Sequence, residues 1–158
     1  MNFLEQLVAE WYEYRGYFVR TNIKIGKRER GGWSGEMDVV AFEPKKKTLV
    51  HLETSCDALG WKKRKEVFAK KFKTAKKYYK KEFGFPIREI KRIAIAYNEC
   101  KSNKIADNTG NIETLSIQKL GDEIIKEMRK RGGIMRGIVP EKYPLLRAIQ
   151  FAIWRIDK

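Results

Sequence analysis

The stretch of sequence that decides the fold is TLVHLETS, residues 48–55. Its short, alternating apolar run predicts a β-strand, in which successive side chains point to opposite faces. One face would carry Leu49, His51, Glu53 and Ser55, and the other would carry Val50, Leu52 and Thr54. A carboxylate inside an apolar strand is costly unless another group neutralises its charge. The stretch therefore predicts a buried strand whose Glu53 needs a counter-charge.

The preceding segment, EMDVVAF, is a second candidate strand, and the intervening turn EPKKK predicts a hairpin. Alternation places Glu36, Asp38 and Val40 on one face and Met37, Val39 and Ala41 on the other. If the two strands are neighbours, Asp38 and Glu53 meet, and a hard divalent cation such as Mg²⁺ would relieve their repulsion. Alternatively, each acid ends its strand in water or pairs with one of the many lysines. The residues alone leave both interpretations open.

Further elements precede this hairpin. Residues 2–15 predict an amphipathic helix closed by Gly16, with Glu5 at the edge of its apolar stripe. Residues 17–25 alternate as a strand, and a glycine-rich charged loop, GKRERGGWSG, follows it. One face of that strand would carry Tyr17, Val19, Thr21, Ile23 and Ile25.

The second half of the chain predicts a long helix over residues 61–83 and a strand buried on both faces over residues 90–98. The apolar side of the helix would carry Val67, Phe68, Phe72, Ala75, Tyr79 and Phe83. We expect a loop over residues 100–110, a weaker strand over 112–118, a helix over 120–131, a break over 132–140 and a helix after Pro144. This order predicts an α/β fold, with one domain over residues 1–158 and a mixed central sheet flanked by helices.

Composition limits the class of protein. The 158 residues, 42% of them hydrophobic and 12% aromatic, are typical of a folded domain. The two cysteines lack the spacing of a metal site or a disulfide framework. No apolar run is long enough to cross a membrane, and the acids near the N-terminus argue against a signal peptide. We therefore expect a cytoplasmic protein without a membrane partner. The C-terminal segment 119–158 would serve core packing, and its surplus apolar side chains also suit a homodimer.

The net charge of +15 lies entirely in residues 61–158, because residues 1–60 carry nine basic and nine acidic side chains. Residues 61–83 alone hold eleven basic and two acidic side chains. Lysines on one helix repel each other, and a phosphate backbone supplies the opposite charge without being read base by base. We expect DNA as the partner, with RNA left open and a merely solvated helix as the alternative. The predicted contacts are Arg28, Arg30, Trp33, Lys63, Lys70, Lys73 and Lys77.

Three segments in this order resemble the restriction-endonuclease-like PD-(D/E)XK nucleases, and in particular their Holliday-junction-resolvase-like branch. They are LEQLVAEWYEYRGYFVRTNIKI, SGEMDVVAF and TLVHLETS, and the resemblance covers roughly residues 4–80. It implies a restriction-endonuclease-like domain and an Mg²⁺-dependent DNA endonuclease in which Mn²⁺ can substitute. By position, it implies that Glu5, Asp38 and Glu53 hold the metal, which activates water and stabilises charge on the scissile phosphate.

The chain departs from the family at Ser55, which stands where the motif has a lysine. One interpretation is a displaced lysine at position 62, 63 or 65, or at position 24, and we assign Lys62 this catalytic role. A second is that the metal suffices and Ser55 positions water. A third is that hydrolysis is lost and the chain is a nucleic-acid-binding or assembly subunit. His51 is either a proton shuttle or accessory ligand, or a hydrogen-bonded strand histidine.

Overall fold

Within the residues that the structure describes, six strands form one mixed sheet with helices on both of its faces. The computed structural model describes residues 2–57, 60–97, 104–107, 110–130 and 137–157. In chain order the elements are α1 (Phe3–Tyr14), β1 (Phe18–Lys27), β2 (Trp33–Glu43), β3 (Thr48–Ser55), α2 (Trp61–Lys76), α3 (Tyr79–Glu82), β4 (Glu89–Ala96), β5 (Lys104–Asp107), β6 (Gly110–Ser116), α4 (Ile117–Lys130) and α5 (Pro144–Ile156). The predicted α/β class, with a mixed sheet between helices, is confirmed.

The strand order is β1-β2-β3-β4-β6-β5. Strands β1, β2 and β3 form an antiparallel meander, because short turns join them. Strand β4 runs parallel to β3, and α2 and α3 make the crossover that a parallel pair requires. Strand β6 is parallel to β4, and β5 is antiparallel to β6 at the edge.

Each face of the sheet has its own apolar layer. On one face α1, α4 and α5 bury Leu4, Ile124 and Leu146 against Val39 and Leu52. On the other face α2 and α3 bury two clusters, one around Met37, Ala75 and Tyr79 and one around Phe68, Phe72 and Ala94. No helix within the described ranges is long and apolar enough to cross a membrane.

The regular alternation predicted for β1 and β2 is wrong at one point. Val19 and Val39 pack against the layer of α1, whereas Ile23 and Met37 pack against the layer of α2. Between them Asn22 has φ +51°, in the left-handed region, and the pairing skips from Thr21↔Val39 to Ile23↔Met37. The apolar face therefore changes from one side of the sheet to the other at this point, while the register of the two strands is the same on both sides of it.

Four further expectations differ from the structure. The predicted helix over residues 61–83 is two helices, because the end of α2 tightens to i→i+3 bonds such as Tyr78 N to Ala75 O at 2.8 Å. Val67, predicted to be inside, is 45% exposed. Strand β4 is buried only in its second half, and β5 lies within the predicted loop over residues 100–110. Of the predicted break over residues 132–140, residues 132–136 lie outside the described ranges.

Glu10 joins the first and last helices. Its buried carboxylate accepts hydrogen bonds from the backbone N–H groups of Leu145, at 2.9 Å, and Leu146, at 3.1 Å, which the first turn of α5 leaves without helical partners. Glu10→Ala should lower the free energy of unfolding by about 2 kcal/mol, because both donors would be left without a charged acceptor. Urea unfolding measures the difference. Glu13→Ala is the control, since the exposed Glu13–Lys142 pair is worth less than about 1 kcal/mol. Equal decreases in the two variants would contradict this role of Glu10.

Candidate active site

The register of the β2–β3 hairpin brings Asp38 and Glu53 together. The last paired residues at this end are Val39 and Leu52, and the two acids follow one residue further along each strand. Asp38 Oδ2 accepts a hydrogen bond from the backbone N–H of Thr54 at 2.9 Å. Both acids are buried, and Glu53 is 0% exposed. Neighbouring positions on paired strands therefore place two carboxylates on the same side of the sheet, as the alternation predicts.

A lysine from α2 joins the two acids. Lys71 Nζ donates to Asp38 Oδ1 at 2.9 Å and to Asp38 Oδ2 at 3.1 Å, and it also donates to Glu53 Oε2. One ammonium group thus neutralises both carboxylates, each of which would otherwise carry the cost of burial alone. Of the two interpretations of the acids, the structure thus shows pairing with a lysine, and one lysine serves both acids.

Lys71 is not among the lysines that the sequence analysis proposed. Lys62 and Lys63 lie exposed in the first turn of α2, and Lys24 is exposed on β1. A signal for Lys71 does exist in the helical spacing. Lys71 is three residues after buried Phe68 and four before buried Ala75, so it falls on the side of α2 that faces the sheet. A lysine at such a position needs an internal partner.

His51 contacts Glu53 within the apolar layer under α2. Its Nε2 lies 2.7 Å from Glu53 Oε1, and its Nδ1 lies 2.7 Å from the hydroxyl of Tyr79. The ring is 0% exposed and packs edge-on against Phe72. His51 is therefore a buried strand histidine with a hydrogen-bond partner at each ring nitrogen. A continuous polar chain runs from Tyr79 through His51, Glu53 and Lys71 to Asp38.

The pKa values of Asp38 and Glu53 are shifted in opposite directions. Burial raises the pKa of Asp38, and repulsion from Glu53 adds to it, against the weaker attraction of Lys71. Burial alone would also raise the pKa of Glu53, but the hydrogen bond from His51 and the charge of Lys71 outweigh it and lower that pKa. Burial opposes the charged form of Lys71 too, and the two carboxylates outweigh burial and raise its pKa. Relative to the ordinary pKa of each group, the surroundings therefore favour the charged form of Glu53 and disfavour that of Asp38.

A cleft of about 370 Å³ opens beside Lys71, at the end of β3. Its described lining is Asn2, Thr54, Ser55, Cys56, Asp57, Arg64, Val67, Phe68 and Lys71. Ser55, at the position of the family lysine, donates from Oγ to Asp57 Oδ2 at 2.6 Å. Asp57 in turn binds the buried guanidinium of Arg64, with Nη2 to Oδ1 at 2.8 Å. The cleft thus has two cations, Arg64 and Lys71, in its described lining, which does not include the two acids.

Glu5 lies in a different set of contacts. Its carboxylate completes the cap of α1 by accepting from the backbone N–H of Asn2 at 3.1 Å and from Asn2 Nδ2 at 2.7 Å. Asn22 Nδ2 donates to Glu5 Oε2 at 3.3 Å and to Glu36 Oε1 at 3.0 Å. Within the described part of the chain, no three His, Cys, Asp or Glu side chains group as metal ligands. The assignment of Glu5 as a third ligand stays a prediction.

The predicted nucleic-acid contacts all lie on the surface. Lys63, Lys70 and Lys73 are exposed along α2, and Lys77 is exposed at its C-terminal cap. Arg28 and Arg30 are exposed at the turn between β1 and β2. Trp33, at the start of β2, is 44% exposed. The hairpin packs on the end of α2, where Gly26 leaves no room for a Cβ beside Ser34 and the hydroxyl of Tyr78. The base of the β1–β2 hairpin therefore lies close to the segment that follows α2.

Comparisons with known proteins leave the function to the chain's own residues. No family model matches the chain, and no curated protein has a significantly similar sequence. A crystal structure described as a protein of unknown function, AF1548, is similar over 97% of this chain and 97% of its own, with 14% sequence identity and a TM-score of 0.49.

The pKa of Glu53 provides a test of the buried chain. Replacing His51 by Leu removes the largest interaction that lowers this pKa, so we expect the pKa to rise. Because folding lowers this pKa, ionised Glu53 stabilises the fold fully at pH values above its ordinary pKa of 4.5. That contribution disappears as the pH falls through the pKa of the folded state. Carbon NMR of the carboxyl group during a pH titration measures the value. Tyr79→Phe is the control, since it keeps the His51–Glu53 bond, and an unchanged pKa in His51→Leu would contradict the assignment.

Proposed function

We propose that the chain is a metal-dependent endonuclease that hydrolyses DNA phosphodiester bonds in the cytoplasm. The observation that supports this most is the meeting of buried Asp38 and Glu53 with Lys71 beside a cleft. Two acids and a lysine are the groups that the family motif supplies, here with the lysine taken from α2 instead of position 55. RNA is a further candidate substrate, because the exposed cations recognise phosphate alone.

The donor chemistry of the acid pair fits Mg²⁺, with Mn²⁺ as a substitute. Asp38 and Glu53 offer hard carboxylate oxygens, and proteins commonly hold Mg²⁺ through one or two carboxylates plus substrate phosphates and water. When bound, the ion supplies a Lewis acid that activates water and stabilises negative charge on phosphate. The hydrogen bonds from Thr54 and His51 keep the two carboxylates oriented toward each other.

The remaining side chains of the cleft have separate roles in this proposal. Lys71 supplies the positive charge beside the scissile phosphate that Ser55 lacks. The Ser55 hydroxyl orients a water molecule, since its oxygen retains acceptor capacity while it donates to Asp57. The lysines of α2 and the Arg28–Trp33 turn bind the phosphate backbone, and Trp33 stacks on an unpaired base.

A second candidate function is a nucleic-acid-binding or assembly subunit without hydrolysis. One contact favours it, because Lys71 already neutralises both buried acids and the fold needs no metal ion for that purpose. The basic surface serves both candidates equally.

Cleavage assays separate the two functions. The protein should cut duplex, branched or single-stranded DNA in the presence of Mg²⁺ or Mn²⁺. Asp38→Asn and Glu53→Gln should each lower the rate at least about 100-fold, since each removes a carboxylate from a site worth several kcal/mol of transition-state stabilisation. Glu66→Gln, an exposed acid on α2, is the control. If neither DNA nor RNA is cut with either ion, the endonuclease assignment is wrong and the subunit without hydrolysis is the remaining candidate.

The salt dependence of binding tests the basic surface. Replacing Lys70, Lys73 and Lys77 together by Gln should lower the slope of log affinity against log salt by about 0.9 for each phosphate that the protein no longer neutralises, or about 2.7 in total. Fluorescence anisotropy with a labelled duplex at several salt concentrations gives the slope. The matched control replaces Lys119, Lys126 and Lys130 on α4, which are exposed on the opposite face of the sheet. Equal changes in both triple variants would show a non-specific charge effect and contradict the assigned surface.

A further inference from the structure

We infer that Lys71 and a divalent cation are alternative occupants of the space between Asp38 and Glu53, so that Lys71 has to withdraw into the cleft before a cation is bound. The inference rests on the proposed function for the kind of cation, and it goes beyond that function by giving Lys71 two positions. In one position Lys71 neutralises the acids, and in the other its ammonium group faces whatever anion occupies the cleft.

The contacts of Lys71 are those of a cation in a ligand site. Its Nζ binds both oxygens of Asp38 and one oxygen of Glu53, which are the hard oxygens that a divalent ion would need. Of the described residues that line the cleft, Lys71 is one and the two acids are not. The ammonium group therefore covers the carboxylates, and an ion entering from the cleft meets Lys71 first.

Charge balance disfavours joint occupancy at close contact. Two carboxylates supply two negative charges, whereas Lys71 and a divalent ion together would bring three positive charges to the same buried point. Like charges repel strongly where water is excluded. Because the carboxylates cannot balance all three charges, the arrival of one cation favours the departure of the other.

The surroundings of Lys71 give it a way out and keep the acids in place after it leaves. Its side chain is 35% exposed, in contrast to the fully buried side chain of Glu53. The adjoining cleft of about 370 Å³ has room for the displaced ammonium group. Asp38 keeps its bond from the N–H of Thr54, and Glu53 keeps its contact with His51, so neither carboxylate needs Lys71 for its orientation.

Titration calorimetry with Mn²⁺ alone tests the inference without any measurement of cleavage. Lys71→Met removes the competing ammonium group and should bind Mn²⁺ at least about tenfold tighter than the native protein. Lys70→Met is the matched control, because it removes the same charge from the adjacent exposed position and should bind Mn²⁺ like the native protein. Equal or weaker binding by Lys71→Met, or no Mn²⁺ binding by any of the three proteins, would overturn the inference.

A second measurement on the native protein covers the case in which Lys71→Met does not fold. Acetylation of lysine amines, followed by mass spectrometry, reports how open each amine is to reagent. Lys71 should react more slowly than Lys70 without metal, and saturating Mg²⁺ should raise the reactivity of Lys71 several-fold while leaving Lys70 unchanged. Reactivity of Lys71 that stays constant or falls with Mg²⁺ would overturn the inference.

The outcome for Lys71 is separable from the outcome for hydrolysis. A protein that cuts no DNA but binds Mn²⁺ more tightly after Lys71→Met has the exchange of cations and lacks the nuclease activity. A protein that cuts DNA and shows no change in Mn²⁺ affinity after Lys71→Met has the activity and lacks the exchange.

Discussion

The contact of one ammonium group with two buried carboxylates is the interaction on which the rest of the site depends. Asp38 and Glu53 meet because β2 and β3 are antiparallel neighbours in this register, and burial makes their repulsion costly. Lys71 removes that cost and, in doing so, ties α2 to the centre of the sheet. The cleft opens beside this contact, and the helix that makes it also carries the outer lysines.

Helix α2 has two electrostatic roles on its two sides. Toward the sheet, Arg64 is held by Asp57, just after β3. Lys71 is held by Asp38 of β2 and Glu53 of β3. Toward solvent, the other lysines outnumber the single exposed acid of α2, Glu66, and leave a strongly positive surface. A polyanion drawn to the outer surface by charge would meet the cleft at the same helix, so that binding and the proposed chemistry share one structural element.

The sequence supported some predictions better than others, for physical reasons. Alternation was enough to place Asp38 and Glu53 on one side, because the β2–β3 pairing stays regular from Glu43↔Thr48 at the turn to Val39↔Leu52, next to both acids. The same rule failed for Ile23 and Met37, since the left-handed conformation of Asn22 turns the apolar face of the hairpin. The sequence did not single out Lys71, because it is one of eleven basic residues within residues 61–83. Its spacing from Phe68 nevertheless indicates that it faces the sheet.

By itself the sequence determined the α/β class, the central hairpin with its paired acids and the surplus of positive charge, because these depend on periodicity and composition along short segments. Only the tertiary structure decided which cation neutralises the acids. That choice depends on how α2 lies across the sheet and how far it is rotated, and both are set by the packing of Phe68, Phe72 and Ala75 against distant strands. The spacing of residues along α2 carries no information about the distance between this helix and the sheet. A contact made by a single ammonium group requires that distance to within about an ångström.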